Sequence, residues 1–284
     1  MLIIGNLIQD HIWELDSFRK DNSNKASSYK VELGGVINYL SSFDYLGKDS
    51  KFLSFIGTNN SDLVKKLSEE KYSKLSTIEI GGNSAQANII AETGNNTRSS
   101  IVDWGVYQKK IPSFILESNE KNIHLAYIDT MCLSESFFEY VRNNDVFLSA
   151  DFCGADIFEE STQYLHKSLK YLSILFISDN HYEDINKSFG NILEDKLLVI
   201  HGPQKTILKK GNDILEVKNE YLISCSGLNV LGAGDFFASS FLSEANSKGI
   251  LRDKENINIS YFKEICENSQ KNTTNWLKHK NNLQ

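Results

Sequence analysis

The chain has 284 residues, of which 40% are hydrophobic, and this length suits one large α/β domain with a small appendage better than two equal domains. Its formal net charge is −7 without a basic block, which argues against nucleic-acid and membrane-surface partners. The four cysteines, at positions 132, 153, 225 and 266, lie far apart in or beside apolar runs, so we expect buried free thiols and no zinc site. A signal peptide and a membrane-spanning stretch are not recognisable, and we expect a cytoplasmic protein.

The first strand is predicted over Leu2–Ile4, a short apolar run ended by Gly5. We expect this strand to lead into a loop that carries Asp10. Ligands of open α/β sheets bind beyond the carboxyl ends of the strands, so a carboxylate here is well placed to accept hydrogen bonds from a polyol. A turn or cap aspartate is the ordinary alternative.

Four weakly alternating segments predict a small separate sheet. The first two, Ile12–Phe18 and Ser27–Leu33, flank a polar tip. The last two, Ala85–Ala91 and Ser99–Trp104, flank the hairpin signal Glu92–Arg98, where Gly and Asn supply the positive φ that a tight turn needs.

A glycine pair, Gly34 and Gly35, leads into a helix predicted over Val36–Leu46, where apolar residues recur at helical spacing. Asn38 falls in the first turn of this helix. A capping role is the ordinary interpretation of an asparagine in that position.

Strands and helices alternate along the rest of the chain. Strands are predicted over Phe52–Ile56, Leu75–Ile80, Asn122–Ile128, Val146–Ala150, Ser173–Ile177 and Lys196–Ile200, and helices over Asp62–Tyr72, Ser134–Arg142, Ile157–Leu169, Tyr182–Phe189 and about Tyr261–Leu277. Repeated β-α units predict a mostly parallel sheet with helices on both faces.

Asn180 and Glu183 follow the strand that ends at Ile177, and their spacing at a helix start places them on one face. Together they could position magnesium-bound water against nucleotide phosphates. A helix-capping pair is the alternative, and the two residues taken alone favour it.

The stretch Gly232-Ala233-Gly234-Asp235 opens an apolar helix. Its glycines allow a tight turn in which successive amides point at one anion, which is typical of a phosphate-binding turn. Asp235 could then take a proton from an acceptor hydroxyl while the amides stabilise a transferring phosphoryl group. An ordinary glycine-rich loop capped by aspartate is the alternative.

These motifs, in this order, resemble those of the ribokinase-like (PfkB) carbohydrate kinases. The segment Asn229–Asp235 resembles the family's C-terminal motif, commonly Asp-Thr-x-Gly-Ala-Gly-Asp, in its last four positions, whereas Asn229 stands where Asp is usual. Gly5–Asp10 resembles the family's opening, and Gly34, Gly35 and Asn38 resemble the sugar-site motif Gly-Gly-x-x-x-Asn with one residue fewer. Asn180–Glu183 resembles the family's Asn-x-x-Glu motif. Val199–Lys209 resembles the strand-Gly-x-x-Gly-strand element, with Lys205 in place of its second glycine.

The resemblance implies a three-layer α/β/α fold in a single domain, 1–284, with a mostly parallel central sheet. A small β-sheet lid would be formed by about 12–33 and 84–104, and in the family this lid often serves as a homodimer interface. The implied activity is transfer of the ATP γ-phosphoryl group to a hydroxyl of a sugar or sugar derivative, with Mg²⁺. A nucleoside kinase of the same fold and a non-catalytic sugar- or nucleotide-binding relative are the alternatives.

The resemblance also assigns residues to roles. Asp235 is the general base, and the amides of Gly232, Ala233 and Gly234 form the anion hole. Acceptor binding is assigned to Asp10, Gly34, Gly35, Asn38 and Arg98, and nucleotide binding to Asn180, Glu183, Gly202 and Asn229, with Glu183 reaching Mg²⁺ through water. The departure at Asn229 leaves activation by a monovalent cation open.

Overall fold

The computed structural model describes the chain except residues 60–62, 64–65, 68, 93–96, 114–119, 155–160, 224–228, 253, 255–256 and 284, and the side chains of residues 97, 98 and 161. The strands of the described residues are β1 (Leu2–Gly5), β2 (Leu7–Leu15), β3 (Ser28–Gly35), β4 (Lys51–Gly57), β5 (Leu75–Ile80), β6 (Ala85–Glu92), β7 (Thr97–Asp103), β8 (Asn122–Ala126), β9 (Phe147–Phe152), β10 (Ile174–Ser178), β11 (Leu197–His201), β12 (Lys205–Lys210) and β13 (Asp213–Lys218). The helices are α1 (Val36–Tyr45), α2 (Glu135–Asn143), α3 (Ser161–Ser168), α4 (Asp179–Leu193), α5 (Ala233–Ser247) and α6 (Phe262–Lys280).

The larger sheet is mostly parallel. Its strand order within the described residues is β13-β12-β11-β10-β9-β8-β1-β4-β5. Pairings from β11 to β5 are parallel, whereas β12 and β13 are antiparallel to their neighbours. Central strands are apolar along their length, as in β10, where Ile174–Ile177 are all buried. A parallel sheet requires this pattern because helices cover both of its faces.

Helices on the two faces of this sheet give three layers. On one face, α1, α5 and α6 bury side chains such as Leu40 and Phe262 in a common apolar core. On the other face, α2, α3 and α4 bury side chains such as Phe138 and Phe189. The predicted fold class, a mostly parallel sheet between helices with a second small sheet, is confirmed.

The smaller sheet has the strand order β3-β2-β6-β7 in the described residues. Its central pair, β2 and β6, is parallel, and both outer pairings are antiparallel. Since β2 begins at Leu7, the chain passes from the large sheet to the small one across Asn6 alone. The expected loop at Asp10 is therefore wrong. Asp10 lies inside β2, where Ile8 and Ile12 on either side of it join a small apolar cluster and keep the segment extended.

Three other details differ from the sequence predictions. Helix α4 begins at Asp179, so Asn180 is helical and does not precede the helix. Strand β13 was missed because it is an edge strand whose Ile214 is exposed, which weakens the apolar pattern. Cys153 is exposed and Cys132 is half-buried, whereas Cys266 is buried as expected. Cys153 is exposed because it comes just after the end of β9.

Parts of some predicted elements lie outside the described residues. These are most of the helix Asp62–Tyr72, the start of the helix Ile157–Leu169, the turn at 93–96 and Cys225. Among the helices that the structure describes, none combines the length and apolar character needed to cross a membrane.

Candidate active site

The carboxyl ends of the parallel strands lie along one edge of the large sheet, and polar residues come at or after each end. Asn6 follows β1, Tyr127 follows β8, Asp151 lies near the end of β9, and Asp179 and Gly202 follow β10 and β11. The parallel register of these strands makes the residues neighbours along this edge. Open α/β sheets bind ligands at this edge.

Asp235 lies in the first turn of α5. The helix is preceded by Gly232, whose φ of 79° is a left-handed conformation that glycine adopts without steric cost. Oδ2 of Asp235 accepts a hydrogen bond of 2.8 Å from Nδ2 of Asn38. The hydroxyl of Tyr127 lies beside the same carboxylate, 3.5 Å from Nδ2 of Asn38. Three separate elements, α1, the end of β8 and α5, therefore meet at one carboxylate.

The surroundings of Asp235 raise its pKa above the ordinary value for aspartate. Burial is the largest cause, because it removes water from the charged form. Hydrogen bonds from Tyr127 and Asn38, and then the positive charge of Lys280, act in the opposite direction. The result is a carboxylate that accepts a proton more readily than an exposed one and is held in a defined orientation.

The backbone amides that precede Asp235 in the glycine turn differ in whether they are available to donate a hydrogen bond to an anion. The amide of Ala233 donates to the carbonyl oxygen of Val230 at 3.0 Å. Those of Gly232 and Gly234 make no backbone hydrogen bond within the described residues. A helix start leaves its first amides without intrahelical partners, so these two are oriented donors for an anion. Ala233 can serve as the third donor only if its bond to Val230 breaks.

The C-terminal helix α6 contacts this turn from the side. The amino group of Lys280 donates a hydrogen bond to the carbonyl oxygen of Leu231 and lies 4.8 Å from the ring centroid of Trp276. Trp276 in turn stacks on Phe236, with centroids 4.9 Å apart. A cation is thus held beside the glycine turn.

Two glycines allow the small sheet to approach the start of α1. Gly35 has a φ of 69°, and a Cβ on it would overlap the backbone oxygen and Oδ1 of Asn6. A Cβ on Gly34 would lie 2.5 Å from Oδ2 of Asp10. The Asp10 carboxylate therefore packs directly against the backbone at the end of β3, two residues before α1 begins. The same helix carries Asn38 to the Asp235 carboxylate.

A buried polar chain lies beneath Tyr127. Asp151, only 7% exposed, accepts hydrogen bonds from the Tyr127 amide at 2.5 Å and from the Tyr39 hydroxyl. The Tyr39 hydroxyl is also 3.1 Å from Nε2 of His124, whose Nδ1 is 3.0 Å from Oγ of Ser149. Burial is the largest cause that raises the pKa of Asp151, and burial lowers the pKa of His124 to about 3. The imidazole is therefore neutral at neutral pH.

No protein-family model matches the sequence, and no curated protein matches it. Solved structures match over almost the whole chain. A ribokinase from Thermotoga maritima is 17% identical with a TM-score of 0.67, covering 95% of this chain and 89% of that one. A nucleoside kinase from Burkholderia thailandensis in complex with inosine is 14% identical with a TM-score of 0.67, covering 96% and 89%. A ribokinase from Cryptococcus neoformans var. grubii in complex with ADP is 13% identical with a TM-score of 0.67, covering 98% of both chains.

The chain has the ribokinase-like fold. Within this ribokinase-like chain, the end of β11 and the start of α4, which carry Gly202, Asn180 and Glu183 at or near them, lie close to the glycine turn. The carboxylate of Asp179 packs so closely on Gly202 that a Cβ there would overlap it, and a Cβ on Gly234 would lie 3.1 Å from the ring of His201. The start of α4, the end of β11 and the glycine turn are therefore in contact.

Asn180 and Glu183 are exposed in the first turns of α4. Within the part of the chain that the structure describes, neither side chain makes a hydrogen bond or an ion pair. Their oxygen atoms are the donor type that Mg²⁺ prefers, and Mg²⁺ usually keeps several waters and binds through one or two carboxylates together with substrate phosphates. The described residues contain no cluster of three or more His, Cys, Asp or Glu side chains, so they fit such a shared site and not an all-protein metal site.

Of three further predicted positions, Asn229 and Lys205 have defined surroundings. The backbone amide and carbonyl of Asn229 are both bonded by the side chain of Asn281, which anchors this turn to the end of α6. Lys205 forms an ion pair of 2.7 Å with Glu216 on β13, so its charge is directed across the sheet edge and not toward the glycine turn. Arg98 lies in β7, and its side chain is outside the described residues.

Three site residues were missed in the sequence. Tyr127 was hidden because the predicted strand Asn122–Ile128 runs past the observed end at Ala126. Asp151 directly follows a predicted strand, so the rule applied to Asp10 could have identified it. Lys280 carries no local signal, because its partner Leu231 is 49 residues away in the sequence.

Proposed function

We propose that this protein is a kinase that transfers the γ-phosphoryl group of ATP to a hydroxyl of a sugar or a sugar-containing small molecule. The observation that carries the proposal is the Asp235 carboxylate, which follows a glycine turn at a helix start and accepts a hydrogen bond from Asn38 beside the Tyr127 hydroxyl. The ribokinase-like fold supports it, since one neighbour of that fold is a ribokinase solved in complex with ADP.

In the proposed reaction, Asp235 is the general base. The acceptor hydroxyl gives its proton to Asp235 while its oxygen bonds to the γ-phosphorus and the bond to the ADP oxygen breaks. The amides of Gly232 and Gly234 donate to oxygens of the transferring group, whose charge they stabilise without reorganisation. Bound Mg²⁺ would neutralise phosphate charge, and Asn180 and Glu183 would hold it, Glu183 through water.

The acceptor would be held on the other side of Asp235. We assign its hydroxyls to Asp10 and Asn38, with Gly34 and Gly35 allowing close approach to the backbone. The small sheet would act as a lid that closes over the acceptor, because water admitted to the site would compete for the phosphoryl group.

A nucleoside kinase is the second candidate. The nucleoside kinase solved with inosine is as similar in structure as the two ribokinases, with a TM-score of 0.67 in each case. A nucleoside also offers a sugar hydroxyl, so the chemistry at Asp235 would be the same. A non-catalytic binding protein is disfavoured, because partial burial of the Asp235 carboxylate is costly without a function.

The experiment is ATP consumption by the purified protein against a panel of free sugars, sugar phosphates and nucleosides, with the Asp235→Asn variant as control. We expect acceptor-dependent ADP formation with one chemical class, and a phosphorylated product in ³¹P NMR spectra. The proposal would be contradicted if the protein bound ATP but no acceptor of the three classes increased ADP formation above the rate of the Asp235→Asn variant.

A further inference from the structure

Tyr127 has a strained backbone conformation at the end of β8. Its φ of 63° and ψ of 66° lie in the left-handed region, which a residue with a large side chain rarely adopts. Such residues persist where the surrounding structure holds them, and they concentrate at functional sites. Three hydrogen bonds hold this one: the Tyr127 amide donates to Oδ1 of Asp151 at 2.5 Å, and its carbonyl oxygen accepts from Oγ1 of Thr130 at 2.8 Å and from the Thr130 amide at 2.9 Å.

Asp151 is a buried carboxylate, and one of its hydrogen bonds stabilises the left-handed backbone conformation of Tyr127. Its second oxygen accepts the Tyr39 hydroxyl, which is backed in turn by the neutral His124. Burying a carboxylate is unfavourable unless hydrogen bonds replace its hydration. Here those bonds go to one side chain and to one backbone amide, that of Tyr127. The buried chain therefore fixes the direction in which the Tyr127 side chain leaves the sheet.

That direction carries the Tyr127 hydroxyl to Asp235. The hydroxyl lies beside the Asp235 carboxylate, because Nδ2 of Asn38 is 3.5 Å from the hydroxyl and 2.8 Å from Oδ2 of Asp235. The interaction of the hydroxyl with this carboxylate lowers the pKa of Asp235. Burial and the nearby carboxylates raise the pKa of Tyr127, so it stays protonated and acts as a donor. Its ring contacts the ring of Tyr39 edge to face with centroids 6.1 Å apart, so the ring would stay in place without its hydroxyl.

We propose that Tyr127 is a positioning residue for the general base: its hydroxyl orients the Asp235 carboxylate toward the acceptor, and Asp151 holds Tyr127. This inference rests on the proposed role of Asp235. Other titratable groups that act on this region are Lys280 from α6, Tyr39 from α1 and Asp151 from β9.

The principal test is Tyr127→Phe, which removes the hydroxyl and keeps the ring. We expect kcat/KM to fall about tenfold, mainly in kcat, which is the usual value of one hydrogen bond to a charged group. The hydrogen bond lowers the pKa of Asp235, so its loss should move the acidic limb of the pH profile to higher pH. The matched control is Tyr45→Phe. Tyr45 packs on Phe236 beside the same site, but its hydroxyl makes no hydrogen bond within the described residues, so we expect no change.

A double-mutant cycle separates positioning from a general packing defect. In an Asp235→Asn background, Tyr127→Phe should have little further effect, because the group that it positions is already disabled. Asp151→Asn should reproduce the kinetic effect of Tyr127→Phe. Additive losses in the cycle, or an acidic limb that does not move, would overturn the inference.

A measurement without turnover distinguishes this inference from the proposed function. With γ-¹³C-labelled aspartate, the Asp235 resonance is identified by its absence in Asp235→Asn, and its pKa is read by titration. Tyr127→Phe should raise this pKa even if no acceptor is ever phosphorylated. An unchanged pKa would overturn the inference, whereas a raised pKa with no kinase activity would contradict only the proposed function.

Discussion

On the proposed acceptor side of the candidate site, Asp235 is bonded directly to Asn38, 197 residues away in the sequence, and Asn38 to Tyr127, 89 residues away. On the proposed nucleotide side, Asn180 and Glu183 are exposed and make no hydrogen bond within the described residues. The first group is assembled by the fold itself. The second group offers side-chain oxygen atoms of the type that Mg²⁺ prefers, and only a bound ligand would bring these atoms together.

Burial explains the difference. A polar group removed from water must find partners in the protein, so partly buried groups such as Asp235 and Asn38 are tied together before any ligand binds. Exposed groups keep their hydration and have no such requirement. We therefore expect substitutions on the acceptor side to damage the chemistry, and those on the nucleotide side to change mainly the requirement for metal and ATP.

The largest effect is expected for Asp235→Asn. This change keeps the volume but removes proton acceptance, so kcat should fall about 10²-fold or more, which is the usual contribution of a positioned general base. ATP affinity by calorimetry and the melting temperature should change little. Normal turnover with the best acceptor would show that the base lies elsewhere.

The next effect in size is expected for Asp10→Ala, which removes a carboxylate from beside Gly34. Loss of charge-assisted hydrogen bonds to hydroxyls should weaken acceptor binding by about ten- to a hundredfold and leave ATP affinity nearly unchanged. Calorimetry with each ligand tests this, with exposed Asp16→Ala just after the same strand as control. Equal losses for both ligands would indicate a folding defect, and no loss for the acceptor would make Asp10 an ordinary strand residue.

A third prediction concerns the buried chain beneath the acceptor side. His124 has a folded-state pKa of about 3 and an unfolded value near 6.5, so below about pH 6.5 only the unfolded state takes up this proton. Its contribution to stability is complete above that pH and falls by about 1.4 kcal/mol per pH unit below it. Relative to His124→Asn, the wild type should therefore lose about 2 kcal/mol of unfolding free energy between pH 7.5 and pH 5.

Urea unfolding of the wild type and of His124→Asn at several pH values measures this difference in unfolding free energy. Asp151 is present in both proteins, so its titration cancels in the comparison. The control is His166→Asn at an exposed position. A stability difference between wild type and His124→Asn that stays constant across this pH range would contradict a neutral buried imidazole.

The smallest effect is expected for Glu183→Gln, on the nucleotide side. Removing one water-mediated carboxylate should raise the Mg²⁺ concentration for half-maximal rate a few-fold, while saturating Mg²⁺ restores most of kcat. Asp184→Asn, at the adjacent exposed position, is the matched control. A loss of kcat that persists at saturating Mg²⁺ would mean that Glu183 belongs with the anchored groups, and that the contrast between the two sides is incorrect.

Much of the fold could be predicted because it depends on local pattern. Continuous apolar runs such as Ile174–Ile177 predict buried parallel strands, and helical spacing after Gly35 predicts α1. The pattern does not define strand ends, because it does not say where pairing stops. For this reason Asp10 was predicted in a loop and Tyr127 within a strand.

The sequence by itself determined the fold class and the local motifs, above all the glycine turn that ends in Asp235, because these need only neighbouring residues. Only the tertiary structure decided what surrounds that carboxylate. Asn38 and Tyr127 lie beside it from two distant segments, the charge of Lys280 acts on it from a third, and Asp151 holds Tyr127 from a fourth. Such contacts are set by strand order and burial, since buried polar groups pair with whichever partners the packed elements bring near.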